Sequence, residues 1–284
     1  MFTTVCTASL CTGLPKVFDH KRFDVSCRTK LLCVFGFLQS KMSEVTGSDS
    51  LGAKYKTVDD MWKKELTGDV DDKSTGWYGK AIAYWEKQET TVNGVLGGME
   101  HVHPADVKET KEVLCSFDKL GRKRALDCGA GIGRIAKNVF ETLGFEKIDL
   151  VEPIEAMMAQ AKKDLNPETL GEMYVTSMQK MIGKLEHNYD VILIQWVAIY
   201  FTDDDFAAIL AECKKHLNLN GIVFFKENMV KDNVFLVDKD DSSLTRCEKH
   251  YRAIFEAGGV TVVKEGFQKE WPKDLYPVKY WCLQ

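Results

Sequence analysis

Between Leu126 and Gly133 the chain reads Leu-Asp-Cys-Gly-Ala-Gly-Ile-Gly, directly after an apolar run and directly before a helical pattern. Gly129 and Gly131 free the backbone for a tight strand-to-helix turn and for close approach of a ligand. Gly133 relieves crowding where the following helix meets a sheet. An acidic residue, Glu152, ends the next expected strand about 20 residues on. Strand, glycine turn, helix and a second strand ending in a carboxylate together make a βαβ unit, which commits the chain to a parallel sheet.

The same alternation continues from Arg124 to the C-terminal end. Short apolar runs at 124–128, 147–152, 173–177, 189–195, 221–227, 260–267 and 278–283 read as strands. Helical periodicity marks 132–143, 155–165, 203–217 and 245–257. This predicts a doubly wound α/β fold. No helical pattern separates the last two strands, so they should form a hairpin that makes one sheet edge antiparallel. Upstream, Trp77, Tyr78, Ala81, Tyr84 and Trp85 recur at helical spacing, and 105–119 predicts a further helix with Val107, Val113, Leu114 and Phe117 inward. Asn93-Gly94 and Gly97-Gly98 mark a turn-rich loop between them. A charged stretch at 54–74 holds one amphipathic turn around Val58, Met61 and Trp62. The expected division is a poorly ordered or targeting-like extension (1–53), a helical, substrate-covering region (54–120) and a catalytic core (121–284).

The first 50 residues lack periodicity, and 43–52 are rich in small and polar residues, which predicts loose packing. The apolar run 31–38 follows Lys21, Arg22, Arg28 and Lys30 and reads as a targeting-like segment or as periphery; translation starting at Met42 is a third reading. No run approaches the about 18 apolar residues of a membrane span. A formal net charge of -4 argues against broad nucleic-acid binding, which needs many phosphate-neutralising cations. Nine Cys, four of them Cys6, Cys11, Cys27 and Cys33, fit neither a zinc pattern nor a secreted disulfide scaffold. Cys128, Cys213 and Cys247 read as reduced thiols in or near the core, so an intracellular protein is expected.

The glycine loop departs from the dinucleotide fingerprint, because Arg134 stands three residues past Gly131. Asp127-x-Gly129-x-Gly131 is instead the arrangement of Rossmann-like methyltransferases, and it suits the methionine end of S-adenosylmethionine. Glu152 is placed to accept from the two ribose hydroxyls. Arg134 has the fork geometry for the methionine carboxylate, or is an ordinary first-turn residue. Met178 and Gln179 follow the third strand and Gln195 ends the fourth, so all three can border the ligand at the C-terminal sheet edge.

Together with Leu126–Arg134, the segments Ile194-Gln195-Trp196-Val197 and Lys226-Glu227-Asn228-Met229 resemble the eukaryotic protein N-terminal methyltransferases. Tyr84-Trp85, Leu96-Gly97-Gly98, Asp241-Ser242-Ser243 and Leu275-Tyr276 extend the resemblance over about residues 76–284. It implies a Rossmann-like class I S-adenosylmethionine-dependent methyltransferase fold with an N-terminal helical extension. It also implies methyl transfer to the α-amine of protein N-termini that begin Xaa-Pro-Lys once the initiator Met is removed. The cofactor would be S-adenosylmethionine, the product S-adenosylhomocysteine, with no metal. Partners would be such N-terminal peptides, with ribosomal or chromatin-associated proteins as candidates, no direct nucleic acid and no membrane. The location would be cytoplasm, nucleus or both.

By the same resemblance Trp196 contacts the substrate proline and Asn228 grips the first peptide units. Asp241 is the catalytic carboxylate, Asp238 meets the substrate lysine, and Ser243 touches the peptide. Trp85, Leu96, Gly97 and Tyr276 close or line the channel. At the family's histidine position, four residues after the pocket tryptophan, this chain has Tyr200. A phenol titrates near ~10 and is a poor base at neutral pH, so proton removal falls to Asp241 while Tyr200 positions the amine or a water, or only fills space. Two other readings are a methyltransferase acting on another small amine or protein and a peptide-binding protein that retains the fold without turnover.

Overall fold

A computed structural model describes residues 45–284. The targeting-like run, the four N-terminal cysteines and Met42 lie outside the described residues. In chain order the elements are strands β1 (Thr46–Asp49) and β2 (Lys54–Tyr55) and helices α1 (Val58–Glu65), α2 (Trp77–Trp85), α3 (Val92–Val95) and α4 (His103–Cys115). Strand β3 (Arg124–Cys128), a π-helical segment (Ala136–Glu141), β4 (Lys147–Val151), α5 (Glu155–Asp164), β5 (Leu170–Tyr174), β6 (Tyr189–Gln195) and α6 (Asp203–Lys215) follow. The chain continues through β7 (Leu217–Asn228), β8 (Val234–Asp238), β9 (Ser243–Thr245), α7 (Glu248–Ala257), β10 (Val262–Phe267) and β11 (Val278–Leu283).

The main sheet has seven strands in the order β10-β11-β7-β6-β3-β4-β5. Strands β3 to β7 pair in parallel, while β11 runs antiparallel to both β7 and β10. Every residue of β6, Tyr-Asp-Val-Ile-Leu-Ile-Gln, is buried, as expected of a central parallel strand covered on both faces. The strand order reverses between β3 and β6. A crevice therefore opens at their C-terminal ends, where doubly wound sheets bind ligands. The glycine loop leaves β3 at that point and Gln195-Trp196 leave β6 beside it.

Several boundaries differ from the sequence reading. Strand β5 begins three residues earlier than expected, because its register is set by β4: Asp149 Oδ1 accepts the Glu172 N–H at 2.8 Å and Ile148 pairs with Leu170. Strand β7 extends in both directions beyond 221–227 through its pairing with β6 and β11. The helix expected at 132–143 starts at Arg134 and passes into the π-helical segment.

A second, four-stranded sheet, β2-β1-β8-β9, was not foreseen. Residues 45–53, expected in the loose periphery, supply its strand β1, which runs parallel to β8 from Thr46 opposite Val234 to Asp49 opposite Val237. The pairing buries Val45 and Phe235 completely. Gly47 is required there, since a Cβ would meet the Phe235 ring at 2.2 Å. Helix α1 then packs beneath. Thr57 caps it by accepting the Asp60 N–H at 3.1 Å, its first turn is acidic and its last turn basic. Val58 and Met61 are buried, and the Trp62 ring meets Trp77 of α2 edge-on with centroids 4.9 Å apart. Cys128, Cys213 and Cys247 are buried free thiols. Among the described residues, no helix is long and apolar enough to cross a membrane.

Candidate active site

The loop after β3 is tied to the neighbouring strand: the N–H groups of Gly129 and Ala130 both donate to the Val151 carbonyl, at 2.8 and 3.1 Å. Gly129 sits at φ 72°, and a Cβ there would lie 2.7 Å from Val197 Cγ2. Only glycine satisfies both constraints. The Gly131 N–H donates to Glu152 Oε2 and the Ile154 N–H to Glu152 Oε1, each at 2.9 Å. Two backbone donors thus orient the Glu152 carboxylate at the end of β4, and each oxygen keeps capacity for a further donor.

These residues line one cavity with about 1050 Å³ of empty space, its open mouth included. Asp127, Gly129, Gly131, Arg134, Glu152, Met178, Gln179 and Gln195 all lie on its wall, as do Trp85, Trp196 and Tyr200. Burial pushes the carboxyls of Asp127 and Glu152 up to about 7; at Asp127 the Arg134 charge opposes that rise. Buried polar atoms on the wall lack partners: Asp127 Oδ2, Gln179 Oε1, Gln195 Oε1 and Trp196 Nε1. A buried polar atom left without a hydrogen bond is costly, which points to a polar ligand. S-adenosylmethionine fits this set: its ribose hydroxyls and amino groups are donors for Glu152, Asp127 and the glutamine oxygens, and its carboxylate suits Arg134. Among the described residues, no group of three or more His, Cys, Asp or Glu comes together as a metal site.

Sequence reasoning missed the residue that organises this wall. Asp106 of α4 is fully buried and accepts from Arg134 Nη1 at 2.7 Å, Gln195 Nε2 at 2.9 Å and Lys226 Nζ at 2.6 Å. Burial raises its pKa, but the Lys226 and Arg134 charges outweigh that and hold the carboxyl below its ordinary value. Burial likewise lowers the Lys226 ammonium. A signal existed: Asp106, Glu109, Thr110 and Val113 form one inward stripe of α4 at helical spacing, polar where an apolar residue is expected.

On the other side of the cavity, Trp196 turns out of β6 at φ 52°, a left-handed conformation that a bulky residue rarely adopts. Its ring lies 5.3 Å from the Arg134 guanidinium and 6.0 Å from the Trp271 ring. Tyr200 donates its hydroxyl to Asp241 Oδ2 at 3.0 Å, while the Ser243 N–H donates to Asp241 Oδ1 at 3.0 Å. The Tyr200 backbone is held by Trp77, whose indole N–H donates to its carbonyl at 2.6 Å, and the ring of Trp85 meets Tyr200 edge-on. Burial, reinforced by the Asp241 charge, lifts the Tyr200 phenol well above its ordinary value, so it remains a donor. Burial also raises Asp241.

The remaining positions taken from the resemblance are set further out. Asn228 is half-buried at the end of β7; its N–H donates to Glu227 Oε1 at 2.9 Å, and its carbonyl accepts from Tyr251. Asp238 is exposed, and its Oδ1 accepts the Asp240 N–H. Ser243 is largely buried beside Asp241, to which its N–H donates. Leu96, Gly97 and Tyr276 do not line the cavity: Leu96 is buried and Gly97 exposed at φ 57°. The Tyr276 side chain is exposed; it is Trp271 whose ring meets Trp196, and its indole N–H donates to the Tyr276 carbonyl at 2.9 Å. Trp271 had no helical or strand periodicity to announce it.

A family profile described as AdoMet dependent proline di-methyltransferase matches residues 73–284. Alpha N-terminal protein methyltransferase 1 of Dictyostelium discoideum is 37% identical over 248 residues, covering 84% of this chain and 91% of that protein. The human N-terminal Xaa-Pro-Lys N-methyltransferase 1 is 35% identical over 226 residues, covering 77% of this chain and all (100%) of that protein. A solved structure of an S-adenosylmethionine-dependent methyltransferase from Leishmania major superposes with a TM-score of 0.81 at 48% identity, covering 84% of this chain and 96% of that one. Magnesium protoporphyrin IX methyltransferase from Synechocystis, at 14% identity and a TM-score of 0.53, shares the fold alone. With its glycine loop, oriented Glu152 and class I strand order, the chain belongs to the family of S-adenosylmethionine-dependent protein α-N-terminal methyltransferases.

Proposed function

We propose that this enzyme transfers methyl groups from S-adenosylmethionine to the α-amino group of protein N-termini beginning Xaa-Pro-Lys, after removal of the initiator Met. The observation that carries this reading is the Tyr200–Asp241 pair, which reaches the cofactor cavity through Tyr200 beside Trp196. The names of the Dictyostelium and human relatives support it.

An α-amine has a reference pKa near ~7.7–8.0, so much of it arrives protonated and without a lone pair. Asp241 takes that proton. Its raised pKa brings it closer to the amine and makes the transfer less uphill. Tyr200 donates to the carboxylate throughout and fixes which face it presents. Trp196 packs the second-residue ring; proline has no amide hydrogen to leave unmet against an indole. Asn228 holds the first peptide units, Ser243 touches the peptide, and Asp238 meets the lysine that follows. Trp85 closes the channel from α2, with Leu96, Gly97 and Tyr276 at its outer rim. On the cofactor side Glu152, Asp127, Arg134, Gln179 and Gln195 orient the ligand, with Met178 as apolar wall. When bound, S-adenosylmethionine supplies a methyl already activated by its sulfonium. The protein's part is orientation, exclusion of water and proton removal.

Residues 121–284 would act as the catalytic core and 54–120 as the substrate-covering region, with 1–53 as an extension. Physiological partners would be ribosomal or chromatin-associated proteins with such termini, met in the cytoplasm or nucleus. The test is mass spectrometry of Ala-Pro-Lys and Ser-Pro-Lys peptides after incubation with enzyme and S-adenosylmethionine, beside α-acetylated controls. Gains of one to three methyl masses on the free termini alone are expected. Cofactor binding without any gain would overturn the reading.

A further inference from the structure

The acidic turn that joins β8 to β9 carries a cation in its middle: the run is Asp238-Lys239-Asp240-Asp241. If Lys239 folded back onto its neighbours, it would neutralise the charge that a lysine-bearing peptide needs to meet. It does not. Its ammonium pairs with Glu65 of α1, on the opposite side of the turn, with Glu65 only 6% and Lys239 25% exposed at the side chain. The Tyr55 hydroxyl of β2 lies 2.8 Å from the other Glu65 oxygen and 3.0 Å from Asp49 Oδ2, and its single proton, shared between the two carboxylates, holds Glu65 in place. The backbone of the turn is held from the same side. The Lys239 N–H donates to Ser50 Oγ at 3.0 Å, and the Ser50 N–H donates to the Val237 carbonyl at 2.9 Å. All the groups that do this precede the residues matched by the family profile. The acids of the turn still act on one another and on α2: burial raises the Asp241 carboxyl and the Asp238 charge adds to it against hydrogen bonds from Ser243 and Tyr200, while burial and then the charges of Asp241, Asp238 and Asp240 raise the phenol of Tyr84.

We propose that Glu65 is a positioning residue for substrate recognition: it draws Lys239 out of the acidic turn and so leaves Asp238 and Asp240 free to receive a cationic peptide side chain. The strap from β1 to α1 is thus part of the specificity machinery, although it touches neither cofactor nor peptide. Glu65 acts through Lys239 alone, so removing the lysine makes Glu65 dispensable.

This rests on the substrate reading above, and the test separates the two. Affinities of Ala-Pro-Lys and Ala-Pro-Gln peptides are measured by calorimetry on the full chain loaded with S-adenosylhomocysteine, for the wild type, Glu65→Gln, and Glu65→Gln with Lys239→Met. Glutamine keeps the acceptor for Tyr55, and unchanged S-adenosylhomocysteine affinity reports an intact fold. Wild type should prefer the lysine peptide. Glu65→Gln should lose roughly two- to fivefold in affinity for it, the scale of one partly screened charge, and nothing for the glutamine peptide. The double variant should regain the loss, which a merely structural role for Glu65 would not produce. Equal lysine-peptide affinity in wild type and Glu65→Gln, or no recovery in the double variant, overturns the inference while leaving the substrate reading standing. No preference for lysine in the wild type overturns the substrate reading, and the inference with it.

Discussion

At the scale of single residues, the site assigns opposite proton roles to two side chains in contact. Tyr200 is held neutral by burial and donates; Asp241 is raised by burial and accepts. Asp241→Asn should therefore lower kcat by roughly 10²- to 10⁴-fold, the usual worth of a positioned general base, with S-adenosylmethionine affinity unchanged. An equal loss in both would show that Asp241 shapes the cofactor site instead. Tyr200→Phe removes a hydrogen bond that lowers the Asp241 pKa. That pKa should rise, and the acidic limb of the kcat/KM profile should move to higher pH; an unmoved limb would assign Tyr200 to packing alone. The sequence singled out Asp241 only as a candidate, through the family resemblance and its neighbours Ser242-Ser243. Its bond to Tyr200, 41 residues earlier, follows no sequence spacing and exists because β9 brings the turn over the end of β6.

At the scale of elements, α4, β6 and β7 are joined by the buried cluster around Asp106. Asp106→Ala would leave the Lys226 ammonium buried without its partner. Breaking a buried pair in this way costs on the order of 3–5 kcal/mol, so denaturant unfolding should show a loss of that size. Arg134 and Gln195 would lose their anchor together, and S-adenosylmethionine affinity should fall in the same variant. A stable protein with native cofactor affinity would remove Asp106 from the account. The glycine turn makes a sharper test. Gly129→Ala combines an unfavourable φ with a 2.7 Å approach to Val197, so cofactor binding should be lost with little change in the remaining sheet. Calorimetric titration with S-adenosylhomocysteine measures it.

At the scale of the whole molecule, three buried carboxyls contribute stability that falls as pH rises through neutrality. Burial pushes Glu227 up to about 8, and the backbone N–H groups of Asn228, Ile199 and Ala198 only partly offset that. An unfolded glutamate titrates near ~4.3, so the folded state binds more protons between that value and about 8. Its contribution is fully present below the unfolded pKa and is lost as pH rises through the folded one. Asp127 and Glu152, both raised to about 7, act in the same sense. Glu227→Gln should therefore match wild type near pH 4 and gain in Tm relative to it from pH 5 to 9; a constant difference would sink this account.

The alternating strands and helices of the main sheet with its antiparallel edge, the glycine turn and the carboxylate at the end of β4 were legible because each depends on local pattern: apolar runs, helical period and residues that only certain turns accept. The second sheet was not legible. Thr-Gly-Ser-Asp at 46–49 has no apolar alternation and becomes a strand only because β8, some 190 residues later, offers its edge and the Phe235 ring. Asp106 and Trp271 escaped for the same reason, since their partners lie on other elements. The sequence by itself determined the fold class, the cofactor and the family, all of which reside in short-range chemistry. Only the tertiary structure decided which charges are buried together, which way Lys239 points and what holds the acidic turn, because burial and pairing are properties of surfaces that meet after the chain has folded.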